Sequence, residues 1–227
     1  MNQIEKKLYS FLIWLTIPIS WFLGFWWTCY FFTNNEKIIS TMMLVGIITG
    51  IAIVVVLHIK YKVNPYKIPK WRMILIFLFY SICLFGFFMG VPLFHLFLGL
   101  LAGCYWSRRM IFENKRPETY KIEIKKVSLF TATMMGIICV LSASIALSDK
   151  FTAGNLQGML SLSFHITFPM LIAFIAAGGI LLVLIQYWAT KLAMNMVMKR
   201  WTLLFKKLFE QLNLILVGRI QERKIHQ

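Results

Sequence analysis

Five apolar blocks dominate this sequence, and each is long enough to cross a lipid bilayer as an α-helix. They cover roughly residues 8–32, 38–59, 71–107, 127–148 and 158–189. A helical span needs about 20 apolar residues. Only 14% of the chain is charged, against about 25% in soluble domains, and 59% is hydrophobic. The pattern predicts an all-α polytopic membrane protein, and the first block is too long for a cleavable signal peptide.

The third block is longer than one span requires. Its 37 residues would form a helix of about 55 Å, whereas the hydrocarbon core is about 30 Å thick. We expect it to fold back at the turn-like Gly-Val-Pro of residues 90–92. The predicted spans are then 8–32, 38–59, 71–89, 91–107, 127–148 and 158–189, which form a transmembrane bundle over 1–189.

Charge placement supports six spans. With the third block folded, 22 of the 24 Lys and Arg residues lie on one side, and only Lys37 and Lys150 lie on the other. Lys and Arg collect on the cytoplasmic side of membrane proteins. We therefore expect both termini to be cytoplasmic, with Arg108 and Arg109 marking the inner end of the fourth span.

The net charge of +16 is expected to face the cytoplasm. A basic membrane surface of this kind attracts anionic lipid headgroups, so lipid rather than nucleic acid is the predicted partner. The four cysteines lie singly in apolar segments and predict neither a disulfide framework nor a metal site.

A candidate polar pocket is predicted near the outer face, between the fourth and sixth spans. His95 and His165 should lie at similar depth on two spans that run in the same direction. Pro169 cannot donate to the carbonyl of His165, so a kink is predicted there. The candidate residues are His95, His165, Ser161, Ser163, Thr167 and Pro169. Two alternatives stay open: both histidines are packing residues near the headgroups, or both ligate a haem.

Small residues four positions apart indicate close helix packing. They occur as Gly46 and Gly50 on the second span, Gly99 and Gly103 on the fourth, and Ala132 and Gly136 on the fifth.

The tail, residues 190–227, carries an amphipathic pattern that is expected to stop near Gly218. Its candidate contacts to lipid headgroups or to a partner are Lys199, Arg200, Trp201, Lys206 and Lys207. The wide apolar arc and the basic opposite face favour a helix lying on the cytoplasmic leaflet. Docking onto a partner membrane subunit is the alternative, because several apolar residues also follow coiled-coil spacing.

Few chemical groups lie inside the predicted spans. All eight acidic residues fall outside them, whereas proton-coupled carriers and cation pumps usually keep a carboxylate in the membrane. No His-Glu-x-x-His motif is present. The first hypothesis is a transporter or a membrane subunit of a transport complex. The alternatives are a non-catalytic subunit or assembly factor and, third, a histidine-based redox enzyme. Enzymatic activity is not expected, and the sequence assigns no cofactor.

Overall fold

A computed structural model of the chain describes residues 3–33, 35–60, 64–88, 91–149, 151–159 and 166–225, with the backbone alone for residues 4, 117, 159 and 201–225. All regular structure in these ranges is helical. The helices are α1 (Gln3–Phe32), α2 (Glu36–Lys60), α3 (Lys70–Phe87), α4 (His95–Phe112), α5 (Pro117–Ser148), α6 (Thr152–Met159) and α7 (Phe168–Ile225). Short 3-10 turns, Pro65–Lys67 and Pro92–Phe94, precede α3 and α4.

Five of these helices, α1, α2, α3, α5 and α7, are long and apolar enough to cross a membrane. Many of their large apolar side chains are exposed, as a lipid-facing surface requires. The helical class of membrane protein is therefore supported. Among the described helices α4 fails the same test, because its 18 residues include two arginines, a histidine and several small or polar residues. Six spans therefore remain a prediction.

The expected break in the third apolar block is confirmed, since α3 ends at Phe87 and α4 begins at His95. Two helices extend past the predicted spans. Helix α4 continues to Phe112, so Arg108 and Arg109 lie within its last turns. Helix α5 begins at Pro117, ten residues before the predicted span, because the polar residues at its start continue the same helix.

The last helix differs most from the prediction. It begins at Phe168 instead of 158 and continues to Ile225 through both residue 190 and Gly218. Pro169 is its second residue, so the predicted kink within the span is wrong. In the first turn of a helix a backbone N–H has no intrahelical partner, and proline loses nothing there. The carbonyl of Thr167 accepts from the Leu171 N–H at 3.0 Å and starts the helix.

The chain divides into two compact units, Met1–Gly86 and Phe87–Gln227. In the first unit, α1 and α2 pack as an antiparallel pair through the predicted glycines. A Cβ on Gly50 would lie 2.5 Å from the Pro18 Cα, and one on Gly46 would lie 2.8 Å from the Trp21 carbonyl oxygen. Only glycine permits this approach. The Tyr80 hydroxyl of α3 donates to the Leu12 carbonyl of α1 at 2.6 Å.

In the second unit, α7 packs against both α4 and α5. Gly99 lies against Gln186, Gly103 against Thr190, and Ser107 against the Met194 carbonyl. Residue numbers rise together along both helices, so α4 and α7 are parallel, as predicted. Helix α5 is antiparallel to α7, because Gly136 lies against Val183 whereas Cys139 lies against Gly179.

The α4–α5 connection is closed by a Schellman motif, in which a left-handed residue follows the helix and its neighbours cap the last turn. Asn114 adopts φ 47°, its N–H donates to the Ile111 carbonyl, and the Lys115 N–H donates to the Met110 carbonyl. Asparagine tolerates this conformation better than most residues, and β-branched side chains do not.

We predict that Asn114→Val lowers the free energy of unfolding by about 2 kcal/mol, because a β-branched residue is strained at positive φ. Asn114→Gly removes the strain altogether and should leave stability equal or slightly higher. Thermal unfolding in mild detergent measures both. Equal stability of the valine and glycine variants would contradict the left-handed conformation at this position.

Candidate functional site: a buried polar cluster between three helices

Polar side chains converge where α4, α5 and α7 meet. Ser107, Ser128, Thr131, Gln186 and Thr190 are all buried, each no more than 2% exposed. Those on α5 and α7 lie within helices that qualify as membrane spans. Polar side chains at such depth must find partners inside the protein, because hydrocarbon offers none.

Thr190 is the centre of the cluster. Its hydroxyl oxygen accepts from Gln186 Nε2 at 3.1 Å and lies 3.0 Å from Thr131 Oγ1. The Thr131 hydroxyl donates to the Ser128 carbonyl at 3.1 Å, so its one proton is already used. Thr190 must therefore donate to Thr131. The bonds form a one-way chain of donors from Gln186 through Thr190 and Thr131 to the α5 backbone.

The glycines of α4 make room for this chain. A Cβ on Gly99 would overlap the Gln186 amide, and one on Gly103 would lie 3.0 Å from the Thr190 carbonyl oxygen. Ser107 continues the contact one turn further, where its hydroxyl donates to the Gly103 carbonyl and approaches the Met194 carbonyl at 3.4 Å. The predicted small-residue pair of α4, Gly99 and Gly103, therefore allows the polar face of α7 to pack closely against α4.

Two atoms of the cluster have no hydrogen-bond partner among the described residues: Gln186 Oε1 and Ser128 Oγ. A buried acceptor or hydroxyl without a partner costs about 1–3 kcal/mol. The cluster therefore retains unused capacity to bind a water molecule or another small polar group.

An ionic network lies beyond this cluster at the α4–α5 connection. Arg109 Nε pairs with Glu113 Oε1 at 2.7 Å, and Lys115 Nζ pairs with Glu123 Oε1 at 3.0 Å. Trp106 Nε1 donates to the other oxygen of Glu123 at 3.1 Å. Burial lowers the pKa of Lys115, but the hydrogen bond and charge of Glu123, together with Glu113, outweigh burial and raise it. Lys115 therefore stays charged, and the buried Arg109 has a structural partner in Glu113.

The structure separates the described members of the predicted histidine pocket. His95 is buried at the start of α4, whereas Thr167 and Pro169 are exposed at the start of α7. By the α4–α7 register, His95 is level with about residue 182, which lies about 20 Å along α7 from Pro169. His165, Ser161 and Ser163 lie outside the described residues, so the pairing of the two histidines remains untested.

The candidate contacts of the tail fall on the continuous helix α7. Lys199 and Arg200 are exposed. Trp201, Lys206 and Lys207 belong to the part of α7 for which the backbone alone is described.

No family model, no curated protein and no solved structure matches the chain. The fold and the apolar helices indicate the broad class, a multi-pass helical membrane protein. Within the described residues no group of three or more His, Cys, Asp or Glu side chains is placed to hold a metal.

Sequence reasoning missed the polar cluster. Its signal is nevertheless present, since Gln186 interrupts the apolar run of the last span and Thr190 follows four residues later on the same face. What could not be foreseen is that α5 supplies Thr131 at the same level.

Proposed function

We propose that this protein is a membrane subunit of a larger complex, and that it docks a partner through the part of α7 that extends past α4 and α5. The observation that carries the proposal is the length of α7. Its 58 residues correspond to about 87 Å, nearly three times the thickness of the hydrocarbon core.

Packing within the second unit supports an extension of α7 past α4 and α5. At the offset between Ser107 and Met194, the end of α4 at Phe112 is level with about residue 199. Helix α5 begins at Pro117, level with about residue 203 on the antiparallel register. The helix therefore continues for roughly another 20 residues past both neighbours, about 30 Å.

The uninterrupted course of α7 favours docking onto a partner over an arrangement in which its last part lies on the membrane surface. A helix that crosses a bilayer and then follows its surface must turn sharply, and sharp kinks need proline, a Gly/Ser pair or a π-bulge. No glycine, proline or serine occurs between Gly179 and Gly218. The extension would then leave the bilayer with its apolar arc in water, and a protein surface is the natural cover for such an arc.

The test compares the full chain with a chain truncated after Arg200, each purified in mild detergent from its native membrane. We expect the full chain to elute as a larger assembly with a stoichiometric partner and the truncated chain to lose that partner. Phe205→Ser with Leu208→Ser should act like the truncation. The matched control Lys206→Gln with Lys207→Gln should retain the partner.

A spin label at position 216 distinguishes the membrane-surface alternative. In vesicles containing anionic lipid, a docking helix leaves the label accessible to an aqueous relaxation agent, whereas a surface helix buries it among lipids. Lipid burial, with full and truncated chains eluting at the same protomer mass, would contradict docking.

Transport is the second candidate, and the polar cluster is the observation that favours it. Gln186 Oε1 and Ser128 Oγ lack hydrogen-bond partners among the described residues, and they offer hydrogen bonds inside two helices that qualify as spans. If the protein conducts a small neutral solute or water, proteoliposomes should show a permeability that Gln186→Leu abolishes while assembly with the partner persists. Permeability equal to that of empty liposomes would exclude this function for the solutes tested.

A further inference from the structure

A groove of about 440 Å³ runs between α5 and α7. It exists because the facing side chains are small: Gly136, Cys139 and Ala143 on α5, and Ala176 and Gly179 on α7. Larger residues border it, and three of them, Val140, Ile180 and Leu184, are more than half exposed. The groove is therefore open along its length to the medium around the helices.

The groove follows the antiparallel register of the two helices. One end lies between Leu147 and Ile172, and the other lies between Gly136 and Val183. Eleven residues of α7 separate the two ends, which is about 17 Å. One leaflet contributes about half of a 30 Å hydrocarbon core, so the groove is as long as one leaflet is deep.

The lining limits what can bind. The groove's walls are apolar apart from the Cys139 thiol, a weak hydrogen-bonding group, so a polar ligand would lose its hydration without compensation. The groove is also too small to enclose a second helix, because about 17 Å of a helix 10 Å wide needs roughly 1,300 Å³; a helix could only lie across its mouth. A single flexible hydrocarbon chain satisfies both limits.

We propose that this groove binds one lipid acyl chain, from the leaflet that contains the end of α5 and the start of α7. The ester end of the chain lies near Leu147 and Ile172, and its terminal methyl lies near Gly136 and Val183. The proposal is independent of any docking partner, because it uses α5 and α7 within the membrane-spanning region alone.

The experiment uses the full chain in nanodiscs of phosphatidylcholine that carries a photoactivatable diazirine in one acyl chain. One probe has the diazirine at the terminal methyl and the other has it next to the ester. We expect the first to label the segments around 136 and 183, and the second to label those around 147 and 172. Labelling of these segments should exceed that of the other lipid-facing helices.

Two variants fill the groove from opposite walls, Ala176→Phe and Ala143→Phe, and each should abolish the preferential labelling. Ala177→Phe is the matched control, since Ala177 is exposed on α7 outside the lining and its replacement should leave labelling unchanged. Circular dichroism and elution volume check folding. If a filling variant misfolds, the segments that the two probes label in the unaltered chain test the proposal.

Even labelling of all lipid-facing helices, or preferential labelling that survives both filling variants, would mean contact with bulk lipid only and would overturn the proposal. A reversed order of the two probes would place the chain in the opposite leaflet and would equally overturn it.

Discussion

Gly99→Ala should destabilise the protein by about 3 kcal/mol, because its new methyl group would occupy the position of the Gln186 amide. The amide must leave, and its hydrogen bond to Thr190 is lost with it. Unfolding in mild detergent, followed by tryptophan fluorescence, measures the loss. The matched control is Gly178→Ala on α7, where a Cβ would meet nothing within 4 Å.

Replacing Gln186, the residue that Gly99 contacts, provides the decisive comparison. Gln186→Ala alone should cost about 1 kcal/mol, near the usual net value of a hydrogen bond, because it removes the bond to Thr190 within α7. The double variant should be more stable than Gly99→Ala alone, since the overlap disappears when the amide is removed. If the two losses simply add, the glycine and the amide do not contact each other.

Gly50→Ala should separate α1 from α2 and lower the free energy of unfolding by about 2 kcal/mol. The added carbon would lie 2.5 Å from the Cα of Pro18, and a backbone atom cannot move aside as a flexible side chain can. Gly46→Ala should have a similar effect, because its new carbon would meet the Trp21 carbonyl oxygen.

Gly24→Ala is the control for this pair, since it lies on α1 with open space around its Cα. It should keep or slightly raise stability, because alanine favours helix more than glycine does. A loss at Gly24 equal to that at Gly50 would show that the contact with Pro18 is not the cause of the loss at Gly50.

Much of the helical framework follows from local sequence. The apolar blocks predicted the five helices that qualify as spans, and the Gly-Val-Pro turn predicted the break between α3 and α4. Boundaries were less predictable where polar residues continue a helix, as they do before residue 127 in α5 and after residue 189 in α7. Helical hydrogen bonds form within the backbone, so a helix does not have to end where its apolar residues do.

The candidate site depends more on tertiary structure than on local sequence. Parallel packing of α4 and α7 was predicted from topology, and the small-residue pairs were recognised as contact positions. The positions along α4 and α7 at which the two helices meet were not predicted. His95 is level with about residue 182, about 20 Å along α7 from Pro169, and the polar side chains that do meet are Gln186, Thr190 and Thr131.

By itself, the sequence determined the class of this protein, its helical segments, and the glycine pairs at which helices could approach. Those properties depend on the composition and spacing of residues along one helix. Tertiary structure alone decided that Gly50 contacts Pro18, that Gly99 contacts Gln186, and that small residues of α5 and α7 leave a groove between them. Such pairings depend on how far one helix is shifted along another, and the shift results from packing many side chains at once.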